Sequence, residues 1–185
     1  MNKKRLKLLK KGNLNKLNNG AVLYWMSRDQ RINDNWALLF AQELAISKNL
    51  PLSIVFCLVK AYKNAPLRHY HFMLNGLLKT FKQAYKLNIP AYLIFGDPIK
   101  EIPDFVEKIN ASNLITDFDP LRIKRDWKKS IAGKINCDFY EVDAHNIVPC
   151  WIASDKQEFA AYTFRPKINR LLGEFLEECP SVKKM

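Results

Sequence analysis

The sequence contains no apolar run approaching the roughly 20 residues that a membrane-spanning helix needs. Nor does it open with an apolar stretch followed by a small-residue cleavage site, so the pattern of a secretory signal is missing. Glycine is scarce, six in 185 residues. Neither the GxGxxG dinucleotide fingerprint nor a GxxxxGK[ST] phosphate loop occurs, which speaks against a Rossmann dehydrogenase or a P-loop kinase. The four cysteines, Cys57, Cys137, Cys150 and Cys179, show no CxxC spacing and no histidines at metal-ligand intervals. Cys57 and Cys137 sit in apolar runs, where a thiol acts as a small core residue. The expectation is a reduced, cytoplasmic protein without a metal site.

Acidic residues are absent from the first 20 positions, which carry seven cations: Lys3, Lys4, Arg5, Lys7, Lys10, Lys11 and Lys16. Without them the formal charge of +12 falls to +5. Residues 1–19 therefore read as a basic tail, a solvated arm with weak, sequence-blind attraction to DNA phosphates. Leu6, Leu8, Leu9, Leu14 and Leu17 offer a way to dock part of it on the body.

What is present is a regular alternation of short apolar runs and amphipathic stretches. Residues 21–26, 51–57, 91–95, 114–117 and 137–142 read as buried strands. Helical spacing fills the gaps, with Asp34, Asp97 and Asp119 as N-cap candidates and Pro98 and Pro120 just behind two of them. Parallel neighbours need crossover helices, so the fold expected is α/β, a doubly wound five-stranded parallel sheet of order 3-2-1-4-5. Residues 20–150 form this domain. Residues 151–185 add an aromatic connector and an amphipathic helix whose apolar side carries Ile168, Leu171, Leu172, Phe175 and Leu176.

In such a sheet, ligands bind beyond the carboxyl ends of the strands, where the order reverses. That places the crevice between the first and fourth strands. Met26, Ser27, Arg28, Asp29, Asp117 and Phe118 are the candidate contacts. Other uses compete for several residues. Arg28, Asp29 and Arg31 can form an ion pair that fixes the loop. Asp117 can accept a ligand hydroxyl or ring N–H, or cap the helix after Pro120. Trp25 and Trp36 read as core aromatics, and His69 and His71 as surface or partly packed residues. His145, beside Asp143 on a strand-exit loop, is the better place for a working histidine, but reads first as one that caps or bridges loops. No catalytic constellation emerges.

Three stretches carry a resemblance. Tyr24-Trp-Met-Ser-Arg-Asp-Gln-Arg31 with Asp34-Asn-Trp-Ala-Leu-Leu39 resembles the opening motif of class II cyclobutane pyrimidine dimer photolyases. Thr116-Asp-Phe-Asp-Pro-Leu-Arg122 resembles the middle of their first domain. Val142-Asp-Ala-His-Asn-Ile-Val-Pro149, Ala153-Ser-Asp-Lys-Gln-Glu158 and Arg165-Pro-Lys-Ile168 resemble its end. The resemblance implies a Rossmann-like N-terminal domain with a deazaflavin-type antenna. It also implies a helical domain that holds FAD and repairs flipped-out dimers in damaged DNA. The present chain carries no counterpart of that helical domain, so FAD is not expected on it. A partner chain, or self-association through residues 166–178, could cover the helix that follows the sheet. The alternatives are a small-molecule or nucleotide-binding α/β module and an interaction protein without light chemistry.

Overall fold

The computed structural model describes residues 1–13 and 20–185. Lys16, Leu14 and Leu17, which the sequence assigned to the tail, lie outside the described residues. The chain runs β1 (Leu6–Lys10), β2 (Val22–Trp25), α1 (Trp36–Lys48), β3 (Leu52–Leu58), α2 (Leu67–Lys86), β4 (Ala91–Phe95), α3 (Pro98–Lys108), β5 (Asn113–Asp117), α4 (Arg122–Lys134), β6 (Asp138–Val142), α5 (Cys150–Ala153) and α6 (Ala161–Phe175). They build one sheet of order β1-β6-β5-β2-β3-β4. Its five inner and far strands are parallel and follow the expected order.

The sixth strand is a correction. β1 pairs antiparallel with β6, Leu6 opposite Val142 and Lys10 opposite Phe139, with a register shift between Leu8 and Lys10. Its lysines made the segment look like a solvated arm, yet lysine is what an exposed sheet edge tolerates. Leu6 packs toward one face and Leu9 toward the other. The preceding Arg5 is buried, so residues 1–12 are part of the body.

Strand alternation splits the core. Tyr24, Met26, Ile54 and Phe56 face α1 and α2, with Leu38 and Leu77 among their partners. Leu23, Trp25, Val55 and Leu114 face α3 and α4, meeting Ile102, Trp127 and Ile131. Trp25 and Trp36 are indeed buried, as are Cys57 and Cys137. Burial pushes these two thiols up to about 12 and about 11, which leaves them inert at neutral pH.

Local chemistry sets the helix starts. Asp97 caps α3 by accepting from the Ile99 amide at 3.0 Å. At α1 the cap is Asn35, not Asp34: its side chain accepts from the Leu38 amide at 3.0 Å, while Asp34 takes a left-handed φ of 51°. Asp119 accepts from the Leu121 amide, closing a turn one step before α4. Beyond the sheet, Ile168, Leu171, Leu172 and Phe175 of α6 pack on Val148, Ile152 and Ala153. That contact occupies the apolar side that the sequence offered for self-association, leaving Leu176 exposed.

Candidate functional site

The loop leaving β2 is held from below by a carboxylate of β5. Asp117 is wholly buried. Its Oδ1 accepts from the Tyr24 hydroxyl. Its Oδ2 accepts from the Ser27, Arg28 and Asp29 amides at 2.8, 2.8 and 3.2 Å. Successive backbone N–H groups of this kind form an anion nest. Here the protein's own carboxylate fills it, so an external phosphate has no seat there. Asn35 extends the network, donating to the Tyr24 hydroxyl at 3.0 Å and to the Arg31 carbonyl at 2.9 Å. Asp29 pairs with Arg31 at 3.5 Å and with Nδ1 of His145 at 3.3 Å. The ion-pair use of this loop and the bridging use of His145 are therefore realised.

Burial raises the Asp117 carboxyl to about 6, against the lowering effect of its hydrogen bonds. Its folded pKa thus lies above the ordinary carboxylate value near 4. The native state binds this proton more tightly than the unfolded chain, so stability from Asp117 is fullest below pH 4 and declines as pH rises toward 6. Removing the group still harms the fold, because it orphans a buried hydroxyl and three amides. Asp117→Ala is expected to lose about 2 kcal/mol at pH 7. The gap from wild type should widen at pH 4 by a further ~2 kcal/mol. Urea melts at the two pH values check both; a gap that shrinks toward pH 4 would contradict the burial argument.

Above this floor lies a crevice of about 400 Å³. Ser27, Arg28 and Gln30 come from the β2 loop, Phe56 to Tyr62 supply the end of β3, and His69, Tyr70 and Met73 start α2. Asp119 and Lys124 close the α4 side. The Tyr70 hydroxyl accepts from the Tyr62 amide at 2.9 Å and donates to the Val59 carbonyl at 2.9 Å, fixing the β3–α2 loop. Thr80 donates to the Gln30 carbonyl at 3.1 Å, tying α2 to the β2 loop.

The crevice sits over β2 and β3 rather than at the β2–β5 reversal. There Asp117 fills the gap, and the Phe118 ring meets Trp151 edge-on at 5.4 Å. Of the six sequence candidates, Ser27 and Arg28 reach the crevice wall. Met26, Asp29 and Asp117 are buried beneath it, and Phe118 turns to Trp151.

Lys124, Tyr62 and Met73 belong to the wall and were not singled out by sequence. Nζ of Lys124 donates to Oγ of Ser27 at 3.0 Å and lies over the rings of Tyr62 and Trp127, 5.3 and 4.6 Å from their centroids. Burial pulls its pKa down, while Asp119 and Asp117 pull it up.

A second cavity, of about 700 Å³, is lined by residues between 145 and 168, the start of α6 included. Asp143 organises the loop at its rim, accepting from the amides of Asn146 and Cys150 at 3.0 and 2.9 Å. Phe159 of the connector and Tyr162 of the first turn of α6 are 88% and 81% exposed. No helix among the described residues is long and apolar enough to cross a membrane.

Residues 22–183 match the family model for DNA photolyase. The chain is 45% identical over 183 residues to a deoxyribodipyrimidine photo-lyase from Potorous tridactylus, covering 98% of itself and 34% of that protein. It is 44% identical over 183 residues to one from Arabidopsis thaliana, covering 97% of itself and 37% of that protein. The chain thus spans about a third of the length of these curated relatives. Its fold is similar to that of a Synechocystis sp. PCC6803 cryptochrome, with a TM-score of 0.74 at 15% identity over 89% of this chain and 36% of the other.

Proposed function

Because the chain belongs to the DNA photolyase family, we propose that it serves light-driven repair of pyrimidine dimers as an antenna domain whose crevice holds a deazaflavin-type chromophore. It is the N-terminal α/β domain of that family. The motif around Tyr24 to Arg31 supports the second class of photolyases within it. The observation that carries the reading is the crevice at the ends of β2 and β3. A volume of about 400 Å³ suits one fused ring system. Phe56, Leu58, Val59 and Met73 offer it apolar surface, and Ser27 and Lys124 offer polar atoms. A bound antenna would supply absorption of violet to blue light. The chain's own residues shape the slot, keep it dry and orient the ring.

A nucleotide module fits less well. The backbone amides that would take its phosphates are already spent on Asp117. The same point argues against FAD, which brings a pyrophosphate and a second ring system. Damaged DNA is a partner of the whole enzyme in this reading. Any phosphate attraction here resides in exposed lysines such as Lys3 and Lys7, since Lys4 and Lys11 pair with Glu174 and Asp138. Exposed Phe159 and Tyr162 suit the face turned toward a flavin-bearing partner.

Spectroscopy tests the reading. Purified protein mixed with an 8-hydroxy-deazaflavin should retain about one chromophore per chain, and with FAD none. It should not repair dimer-containing DNA under blue light, even with added reductant. Stoichiometric flavin retention or repair by this chain would overturn the assignment.

A further inference from the structure

The two edges of the sheet are built differently. β1 closes one of them with Lys7, Lys10 and a register shift, features that discourage a further strand. β4 ends the other with Ala91-Tyr-Leu-Ile-Phe95, five residues without a charge, a proline or a bulge. No element among the described residues covers this edge, and Leu93 and Phe95 are 51% and 61% exposed. We propose that the edge is the seam of a homodimer, in which β4 pairs antiparallel with β4 of a second copy about a two-fold axis at Leu93.

Backbone hydrogen bonds set the register. The Ile54 amide donates to the Pro90 carbonyl at 2.8 Å, and the Gly96 amide to the Leu58 carbonyl at 3.1 Å. Even-numbered residues of β4 therefore turn their backbone groups to β3, and those of Ala91, Leu93 and Phe95 point out of the sheet. A two-fold axis at Leu93 pairs Leu93 with its own counterpart and Ala91 with Phe95 of the second copy. Each pair exchanges both of its bonds, so every outward amide and carbonyl of the strand is satisfied. The side chains agree. Ala91, Leu93 and Phe95 share the α2 face, where small Ala91 leaves room for the Phe95 ring opposite. On the other face Tyr92, whose ring meets Phe105 at 5.2 Å, comes opposite Ile94.

Helix α2 widens the seam. Thr80 ties one flank of the helix to Gln30 of the β2 loop. By helical spacing the opposite flank carries Leu67, Leu74, Leu78, Phe81 and Tyr85, and so turns to the open edge. Leu67, Leu78 and Tyr85 are exposed there, and Tyr85, Ile89 and Pro90 line one hollow where α2 gives way to β4. Covering these side chains and the strand would remove on the order of 700 Å² per copy, close to the roughly 800 Å² of a standard interface. The occupant is β4 of a second copy rather than its β1. Pairing with β1 would lay Lys7 and Lys10 along an apolar edge, in a head-to-tail contact that does not close on itself.

Sedimentation of the full chain over a concentration series should show a reversible monomer–dimer equilibrium. It should persist in about 0.5 M salt, because the seam is apolar and bonded through the backbone. Leu93→Lys sets two like charges face to face on the axis and should weaken the dimer at least about tenfold. Leu176→Lys, on the exposed end of α6, should leave it unchanged. Oxidation locates the axis in a background of Cys150→Ser and Cys179→Ser, the two cysteines that are not buried. Leu93→Cys chains should then cross-link into covalent dimers, because the paired Cα atoms would lie about 5.5 Å apart, within the span of a disulfide. Tyr92→Cys chains, whose substituted residue faces Ile94 of the second copy, should not. This contrast decides even if the lysine variant does not fold. Monomers at millimolar concentration would overturn the proposal. So would a dimer lost in salt or on nuclease treatment, as two basic chains bridged by nucleic acid would be, or one broken by Leu176→Lys and not by Leu93→Lys.

Discussion

Arg5→Ala is expected to lower the unfolding free energy by about 3 to 5 kcal/mol, the cost of breaking a buried charged network from one side. Arg5 is 1% exposed, and its guanidinium reaches four backbone carbonyls in two parts of the chain, the β6 exit and the end of α6. It donates to Asp143, Asn146, Ile147 and Phe175 at 3.3, 2.9, 2.8 and 3.2 Å. The rings of Trp36 and Phe175 flank it at 5.0 and 5.5 Å. Alanine would orphan those acceptors and open a void between α1, the β6 exit and the end of α6. Arg5→Lys keeps the charge but not the planar set of donors, so it should recover less than half of the loss. Urea denaturation measures both; an alanine variant within 1 kcal/mol of wild type would return residues 1–12 to the role of a tail. Deleting residues 1–12 removes β1 and Arg5 together and is expected to disrupt the fold.

The sheet was legible because buried parallel strands are written as short apolar runs, and their order follows from crossover geometry. β1 was not, since LKLLK places lysines where an edge strand meets water, and the same letters describe a solvated arm. Only the leucines at Leu6 and Leu9, which turn to opposite faces, carried the signal. The motif from Tyr24 to Arg31 was legible as a unit, but its physical role was not: Tyr24, Asp29 and Asn35 close a hydrogen-bonded floor around Asp117. That role depends on residues some 90 positions apart in sequence becoming neighbours. The same distance hid the crevice wall. Lys124 is one of several cations in α4, and nothing in its local sequence distinguishes a lysine under two rings from one in solvent. The order of strands pointed to the β2–β5 reversal, and two side chains, Asp117 and Phe118, close it.

Ser27→Trp is expected to weaken deazaflavin binding by more than 100-fold, or about 3 kcal/mol. Ser27 lines the crevice and is half-exposed, so its side chain can grow without entering the core. An indole there would occupy the slot between Lys124 and the end of β3. The Ser27 amide would still reach Asp117, because that bond uses the backbone. The loop should therefore hold its shape, and the thermal melt should shift by only a few degrees. Phe159→Ala, beside the larger cavity, should leave affinity unchanged. Equal losses in both variants would point to general damage rather than to a blocked site.

The location of the chromophore is the central claim, and backbone amide chemical shifts measure it directly. Adding an 8-hydroxy-deazaflavin to isotope-labelled protein should move the amides of Ser27, Arg28, Val59, Tyr62 and Lys124, and leave those of Asn146, Phe159 and Ile168 in place. Shifts gathered instead around residues 145–168, or no shifts at saturating ligand, would contradict the account.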